Sequence, residues 1–168
     1  KERYDIKNKR VILGVASVWD KRKGLDTFIE LSKQLDNEYQ IVLIGLNKKQ
    51  IKKLPSNIIG ITRTENVEEL VKWYSAADVY FNPTLEDNYP TTNLEAIGCD
   101  TPVVTFNTGG SPESAYASKK NIIYMKNINE ILNKLINISH RKKNNNNNKM
   151  GLIYMTNNYL KNYVEEDF

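Results

Sequence analysis

Little in this sequence could hold a fold together by covalent or metal chemistry. A single cysteine, Cys99, among 168 residues excludes an internal disulfide framework and fits a reducing compartment. The single histidine, His140, has no second His or Cys at ligand spacing, which makes it a poor zinc ligand. Its place at the C-terminal end of a predicted helix points instead to dipole compensation or plain exposure. No apolar run is long enough to cross a bilayer, and neither a signal-peptide pattern nor an initiator Met opens the chain. Charge of one sign is scarce as well: the formal net charge is +4 and the lysines are scattered rather than striped. That argues against a nucleic-acid partner and leaves a mild attraction to phosphate ligands or anionic membrane surfaces.

What is present suffices for one ordinary domain with a real core. Val11-Ile12-Leu13-Gly14-Val15-Ala16 is a near-continuous apolar run, as expected of a strand buried on both faces. Leu25, Phe28, Ile29, Ser32 and Leu35 then recur at helical spacing. Gln40 to Gly45 predicts a second buried strand, followed by a Lys-rich helix through Lys53, and Ile58 to Thr62 a third. Val67, Leu70, Val71, Tyr74 and Ala77 mark the next helix, which places Tyr74 and Trp73 among packing residues. Val79 to Phe81 is a fourth strand, Val103 to Phe106 a fifth and Ile122 to Met125 the last. Ile128, Ile131, Leu132, Leu135 and Ile138 form an amphipathic helix. Asn144 to Asn148 is a low-complexity turn, and Ile153, Tyr154, Leu160, Tyr163 and Val164 predict a final helix. Strand and helix alternate about six times, which predicts an α/β fold: a single Rossmann-like domain, its parallel sheet of about six strands covered by helices on both faces.

Two stretches carry chemistry. The loop after the first strand holds Lys21-Arg22-Lys23 just ahead of Gly24, cations placed where an anion would meet a helix start. The second stretch runs from Pro83 through Leu85-Glu86-Asp87-Asn88-Tyr89-Pro90-Thr91-Thr92-Asn93-Leu94-Glu95 to Val104, a strand, an acidic loop, a helix and a strand. In a parallel sheet such loops lie outside the carboxyl ends of the strands, where ligands bind. Asp87 and Glu95 stand eight positions apart, one beside the helix start and the other about two turns away. Between them Thr91 and Thr92 offer first-turn amides, which favour an anion. Pro90 suits the first helical position, and Asp100 is expected to take a left-handed C-terminal conformation. Gly109-Gly110 reads as turn chemistry.

This block resembles the nucleotide-sugar half of retaining glycosyltransferases of the two-Rossmann-domain type, family 4. Their pattern runs Pro-Ser-x-x-Glu-x-Phe-Gly, a few apolar residues, then Glu-Ala-x-Ala-x-Gly-x-Pro-Val-Val. Asp87 falls on the first family acid, Glu95 on the second and Tyr89 on the aromatic, while Pro90 replaces a Gly. Lys23-Gly24 matches the family Lys-Gly, and Tyr74-x-x-Ala77-Asp78-Val79 its Tyr-x-x-Ala-Asp-Val. The Arg expected five residues before the Lys is absent, with Val18 in its place, and Arg22 is the nearby cation that could substitute.

The resemblance covers about Val11 to Ser139. It implies that Asp87 positions the donor sugar, that Lys23 with the amides of Thr91 and Thr92 stabilises the diphosphate, and that Glu95 anchors the ribose. Arg22, Tyr89 and Pro90 would border the same donor site. Thr62, Arg63 and Thr64 would hold the base, and Glu113 would cap a helix bordering the pocket. It implies further that residues 1–10 are a linker or boundary segment, 11–140 the donor-binding domain, 141–149 an Asn-rich turn and 150–168 a helix returning to the partner domain. The expected protein is the C-terminal half of a hexosyltransferase that uses a nucleoside diphosphate sugar, most often UDP-linked, and is inactive without its N-terminal Rossmann domain. A glycan or lipid would be the acceptor. Neither a metal nor a protein nucleophile is implied, consistent with the lack of an Asp-x-Asp site, and the location would be cytoplasmic or at the inner membrane face. A nucleotide-sugar epimerase of related fold and a non-catalytic nucleotide-sugar-binding module remain open alternatives.

Overall fold

The computed structural model describes residues 4–115, 122–123 and 127–139. Its six strands are β1 (Arg10–Val15), β2 (Tyr39–Ile44), β3 (Ile58–Ile61), β4 (Val79–Asn82), β5 (Val103–Phe106) and β6 (Ile122–Ile123). The helices are α1 (Leu25–Ser32), α2 (Lys48–Ile51), α3 (Val67–Ala76), α4 (Thr91–Gly98), α5 (Ser111–Ser114) and α6 (Ile128–Ser139). All pairings are parallel and the sheet order is β3-β2-β1-β4-β5-β6. The expected α/β architecture of about six parallel strands is the one observed. Predicted positions Tyr124 and Met125, His140, the Asn144–Asn148 run and the helix over 150–168 lie outside the described residues.

Strand alternation sends successive side chains to opposite faces, and each face has its own core. Ile12, Ile41, Leu43, Phe81, Val104 and Phe106 point to one side, where Phe28 and Leu31 of α1 and Ile131 and Leu135 of α6 cover them. Val11, Leu13, Val42, Tyr80 and Val103 point to the other, under Val71, Trp73 and Tyr74 of α3 and Ala96 of α4. Helices therefore lie on both faces, and this double burial explains why β1, β2, β4 and β5 read as continuous apolar runs. The lead into β1 is more than a polar tether: Ile6 is 2% exposed, and the Tyr4 ring packs 5.3 Å from that of Trp73.

The sheet grows outward from β1 in one direction through β2 and β3, then returns to place β4 on the opposite flank of β1. Asp78 fixes that return. Its side chain accepts from the Val11 amide at 2.8 Å, and its own amide donates to the Val11 carbonyl at 2.9 Å. The connections out of β1 and β4 consequently diverge, which opens a crevice at the carboxyl ends of these two strands.

Candidate functional site

Both chemistry-bearing loops reach that crevice, one from each side. Past β1, Asp20 caps a single 3-10 turn, Lys21–Lys23, its carboxylate accepting from the amides of Arg22 and Lys23. Gly24 follows at φ 75°, a left-handed conformation that turns the chain into α1. It also lies against the neighbouring loop, because a Cβ there would sit 2.4 Å from the Pro83 carbonyl oxygen. The Leu85 amide and the Thr84 hydroxyl both donate to the Arg22 carbonyl, at 2.6 and 3.3 Å. The two loops are thus stitched through backbone atoms, and across the stitch Lys23 Nζ meets Asp87 Oδ2 at 2.5 Å. Asp87 is 15% exposed at its side chain, so this ion pair is held largely out of water.

A third loop supports the second from behind. The Gly110 amide donates to the Asp87 carbonyl at 3.1 Å, and the Asn88 carbonyl oxygen lies 1.8 Å from where a Gly110 Cβ would stand. Gly109-Gly110 is therefore more than turn chemistry: the Asp87–Asn88 backbone occupies the space that side chains would fill.

The helix that follows is set by a buried polar cluster. Asn93, fully buried, accepts from the Asn82 side-chain amide at 3.0 Å and donates to Ser114 Oγ at 2.8 Å, tying α4 to the end of β4 and to α5. The helix starts where expected, near residue 91, and the proline lies one place outside it. Pro90 is its N-cap, at φ −68° and ψ 106°, and Thr91 the first helical residue. A proline at that position supplies no capping oxygen, so the first-turn amides of Thr91 and Thr92 keep their capacity for an anion. At the far end Asp100 takes φ 56°, as expected. The Asp100 amide donates to the Ile97 carbonyl and the Thr101 amide to the Ala96 carbonyl, which closes the helix with a paired C-terminal turn.

Glu95 lies on the inner side of this helix. It accepts from the Tyr74 hydroxyl at 2.9 Å, and burial pushes its carboxyl up while that hydrogen bond pulls it down. The Tyr80 hydroxyl, which donates to the Val15 carbonyl at 3.3 Å, lies within reach of the charge of both acids. Burial raises it, and the charges of Glu95 and Asp87 act on it in the same direction. A Glu whose folded-state pKa lies above its unfolded value favours folding while protonated and loses that contribution as pH rises through the folded value. Glu95→Gln should accordingly raise the melting temperature at pH 7, with the gain disappearing as pH falls into the acid range. A melting-temperature series over pH 4–8 checks this, and a variant destabilised equally at every pH would contradict it.

The remaining expected residues are less concentrated. The Arg22 guanidinium turns back to Asp20 at 2.9 Å with its side chain 63% exposed, so it stands beside the Lys23–Asp87 pair and its charge is directed at its own loop. Tyr89, 46% exposed, borders the crevice. Thr62 and Arg63 are exposed beyond β3 and Thr64 is half-buried. With β2 intervening, they stand two strands from β1, about 10 Å laterally. Glu113 is exposed in the first turn of α5. Sequence reasoning missed the Arg22 carbonyl, Thr84, the Gly110 contact and Asn93, since none of them belongs to a chemical pattern. Tyr74 was assigned to packing alone, although a buried tyrosine needs a partner for its hydroxyl, and that was the available signal.

Among the described residues no three His, Cys, Asp or Glu side chains gather as a metal site, and no helix is long and apolar enough to cross a membrane. A separate hollow of about 260 Å³ lies at the opposite, amino-terminal ends of the strands, near Ser32, Gln40 and Asn57. There the Gln40 amide donates to the Asn57 carbonyl at 2.8 Å and the Asn57 amide to the Ser32 carbonyl at 2.7 Å.

Comparison with known proteins converges on one family. The alpha-galactosylglucosyldiacylglycerol synthase of Streptococcus pneumoniae is 31% identical over 110 residues, covering 58% of this chain and 28% of that protein. The processive diacylglycerol alpha-glucosyltransferase of Acholeplasma laidlawii is 30% identical over 114 residues, 62% of this chain and 33% of that one. The chain thus spans a third or less of the length of these two relatives. Among solved structures, an alpha,alpha-trehalose-phosphate synthase (UDP-forming) from Burkholderia vietnamiensis superposes with a TM-score of 0.70 over 98% of this chain and 46% of its own, at 12% identity, a likeness of fold. Residues 9–141 match the family described as glycosyl transferases group 1, well over half of the sequence, and this chain belongs to that family.

Proposed function

We propose that this chain is the donor-binding C-terminal domain of a family 4 retaining glycosyltransferase. The intact protein would move a hexose from a nucleoside diphosphate sugar, UDP-linked by preference, to a lipid or glycan hydroxyl. The observation that carries the proposal is the meeting of Lys23 and Asp87 across the β1–β4 crevice, beside the first turn of α4. In the reaction the anomeric C–O bond breaks with its electron pair going to the diphosphate, the acceptor oxygen bonds to the anomeric carbon on the same face, and the acceptor's proton passes to a departing phosphate oxygen. Lys23 and the Thr91 and Thr92 amides face the charge that grows on the leaving diphosphate, where preorganised positive groups stabilise the transition state most. Asp87 holds sugar hydroxyls, and Glu95 holds the ribose. Thr62, Arg63 and Thr64, two strands away, stand where the base would lie, and Tyr89 and Pro90 close the sugar side. This arrangement requires no metal and no protein nucleophile. The acceptor would be held by an N-terminal Rossmann domain of the same protein. A lipid acceptor is favoured by the two relatives named for diacylglycerol glycosides.

The test is to incubate the intact protein with UDP-[14C]glucose and UDP-[14C]galactose and vesicles containing diacylglycerol, then partition the products. Label in a glycolipid supports the proposal. Label found only in an isomerised donor, or left entirely in unchanged donor with lipid and oligosaccharide acceptors alike, overturns it.

A further inference from the structure

The hydroxyl of Tyr74 has a place that packing does not require. Tyr74 is fully buried, on α3, and its ring packs edge-on against Tyr80 at 5.5 Å. A phenylalanine would fill the same space. The hydroxyl crosses from α3 to α4 and donates to Glu95 Oε2 at 2.9 Å, while Thr101 Oγ1 donates to the Tyr74 carbonyl at 2.6 Å and fixes the α3 backbone against the end of α4. A carboxylate that accepts from a rigid donor at one oxygen has its rotation fixed and its second oxygen aimed. We propose that Tyr74 is a positioning residue for nucleotide recognition: by occupying Oε2 it orients Glu95 and presents Oε1 to the ribose hydroxyls of the donor. The inference rests on the reading of Glu95 as the ribose carboxylate.

Physical chemistry sets the expected consequences. Burial disfavours the charged form of Glu95, and the Tyr74 hydrogen bond opposes it. The titratable groups facing this pair are Tyr80 from β4 and Cys99 just past the end of α4. Without the Tyr74 hydroxyl, Glu95 loses its fixed rotation and protonates at a higher pH. A protonated carboxyl accepts less well from a ribose hydroxyl, so binding should weaken most on the acid side.

The experiment is calorimetric titration of the intact protein with UDP, GDP and ADP and their 2′-deoxy counterparts at pH 5.5, 6.5 and 7.5. Wild type, Tyr74→Phe, Glu95→Ala and the double variant are compared after thermal melts establish that each is folded. Tyr74→Phe should weaken the best nucleoside diphosphate about five- to tenfold at pH 7.5, with a larger loss at pH 5.5, and should reduce the preference for ribose over deoxyribose. In the Glu95→Ala background it should have no further effect, because the residue through which it acts is gone. A Tyr74→Phe protein with wild-type affinity, pH profile and ribose preference, in the presence of a strong Glu95→Ala effect, overturns the inference and leaves the site reading intact. An equal loss in both backgrounds also overturns it, by showing that Tyr74 contributes structure alone. If Glu95→Ala binds like wild type, the site reading fails and this inference falls with it.

Discussion

Lys23→Ala in the intact enzyme is expected to lower kcat for sugar transfer about 100- to 1,000-fold, the cost of removing one preorganised stabiliser of developing negative charge. The ammonium does two things at once. On the proposed reading it would oppose the charge of the leaving diphosphate, and through its 2.5 Å contact it neutralises Asp87, whose side chain is 15% exposed. Removing it therefore leaves an unpaired carboxylate beside the place proposed for an anionic ligand. UDP itself should bind more weakly to this variant. Asp87→Asn separates the two effects. It deletes a negative charge from the phosphate environment, so UDP should bind as well as to wild type or better, while sugar transfer falls by a comparable factor through loss of the hydroxyl contact. Calorimetry with UDP and steady-state transfer rates for the two variants measure both quantities. Wild-type turnover by Asp87→Asn would refute the assignment of that residue, and unchanged UDP affinity in Lys23→Ala would refute the assignment of the other.

Gly110→Ala should damage the site through a single added methyl. Gly110 has φ −84°, which any residue can adopt. Its requirement is steric: the new Cβ would lie 1.8 Å from the Asn88 carbonyl oxygen and 3.4 Å from Tyr89 Cα. Both obstacles are backbone, so the Asp87 loop itself must move. Overpacking of this kind costs about 1–3 kcal/mol, or about 2–12 °C in melting temperature for a chain of this size. Activity should fall further than stability suggests, since displacing a positioned group by about 1 Å can cost about 100-fold in rate. Gly60→Ala is the control. Its Cβ would meet side-chain atoms alone, the methyl ends of Leu54 and Leu46 and Cγ1 of Ile51, so no backbone has to move, and β3 lies two strands from the crevice. Gly60→Ala should lose some stability and keep transfer; a fully active Gly110→Ala protein would show that the third loop does not hold the second.

Much of this was legible in the linear chain because it depends on local chemistry. Doubly buried strands need apolar residues at every position, and helices packed on a sheet need them at helical spacing, so the alternation of elements could be read directly. Lys23, Asp87 and Glu95 could be picked out as candidates for a similar reason: each belongs to a short pattern with its own spacing. Other features were less legible. That Pro90 is the N-cap of α4 instead of its first helical residue was missed because a proline next to a helix start suits either place. The burial of Ile6 ahead of β1 was missed because a lone apolar residue in a polar lead carries no period.

The sequence by itself determined the element order, the parallel sheet, and which two loops bring charged side chains to the carboxyl ends of the strands. Only the tertiary structure decided that Lys23 and Asp87 touch across 64 positions of chain, that the Arg22 carbonyl and Gly110 hold the loop between them, and that Arg22 turns to Asp20 instead of toward the pair. The reason is physical. Strand and helix formation follow from interactions a few residues apart, whereas the contacts that build the site run between backbone atoms of distant loops, and every residue type carries the same backbone.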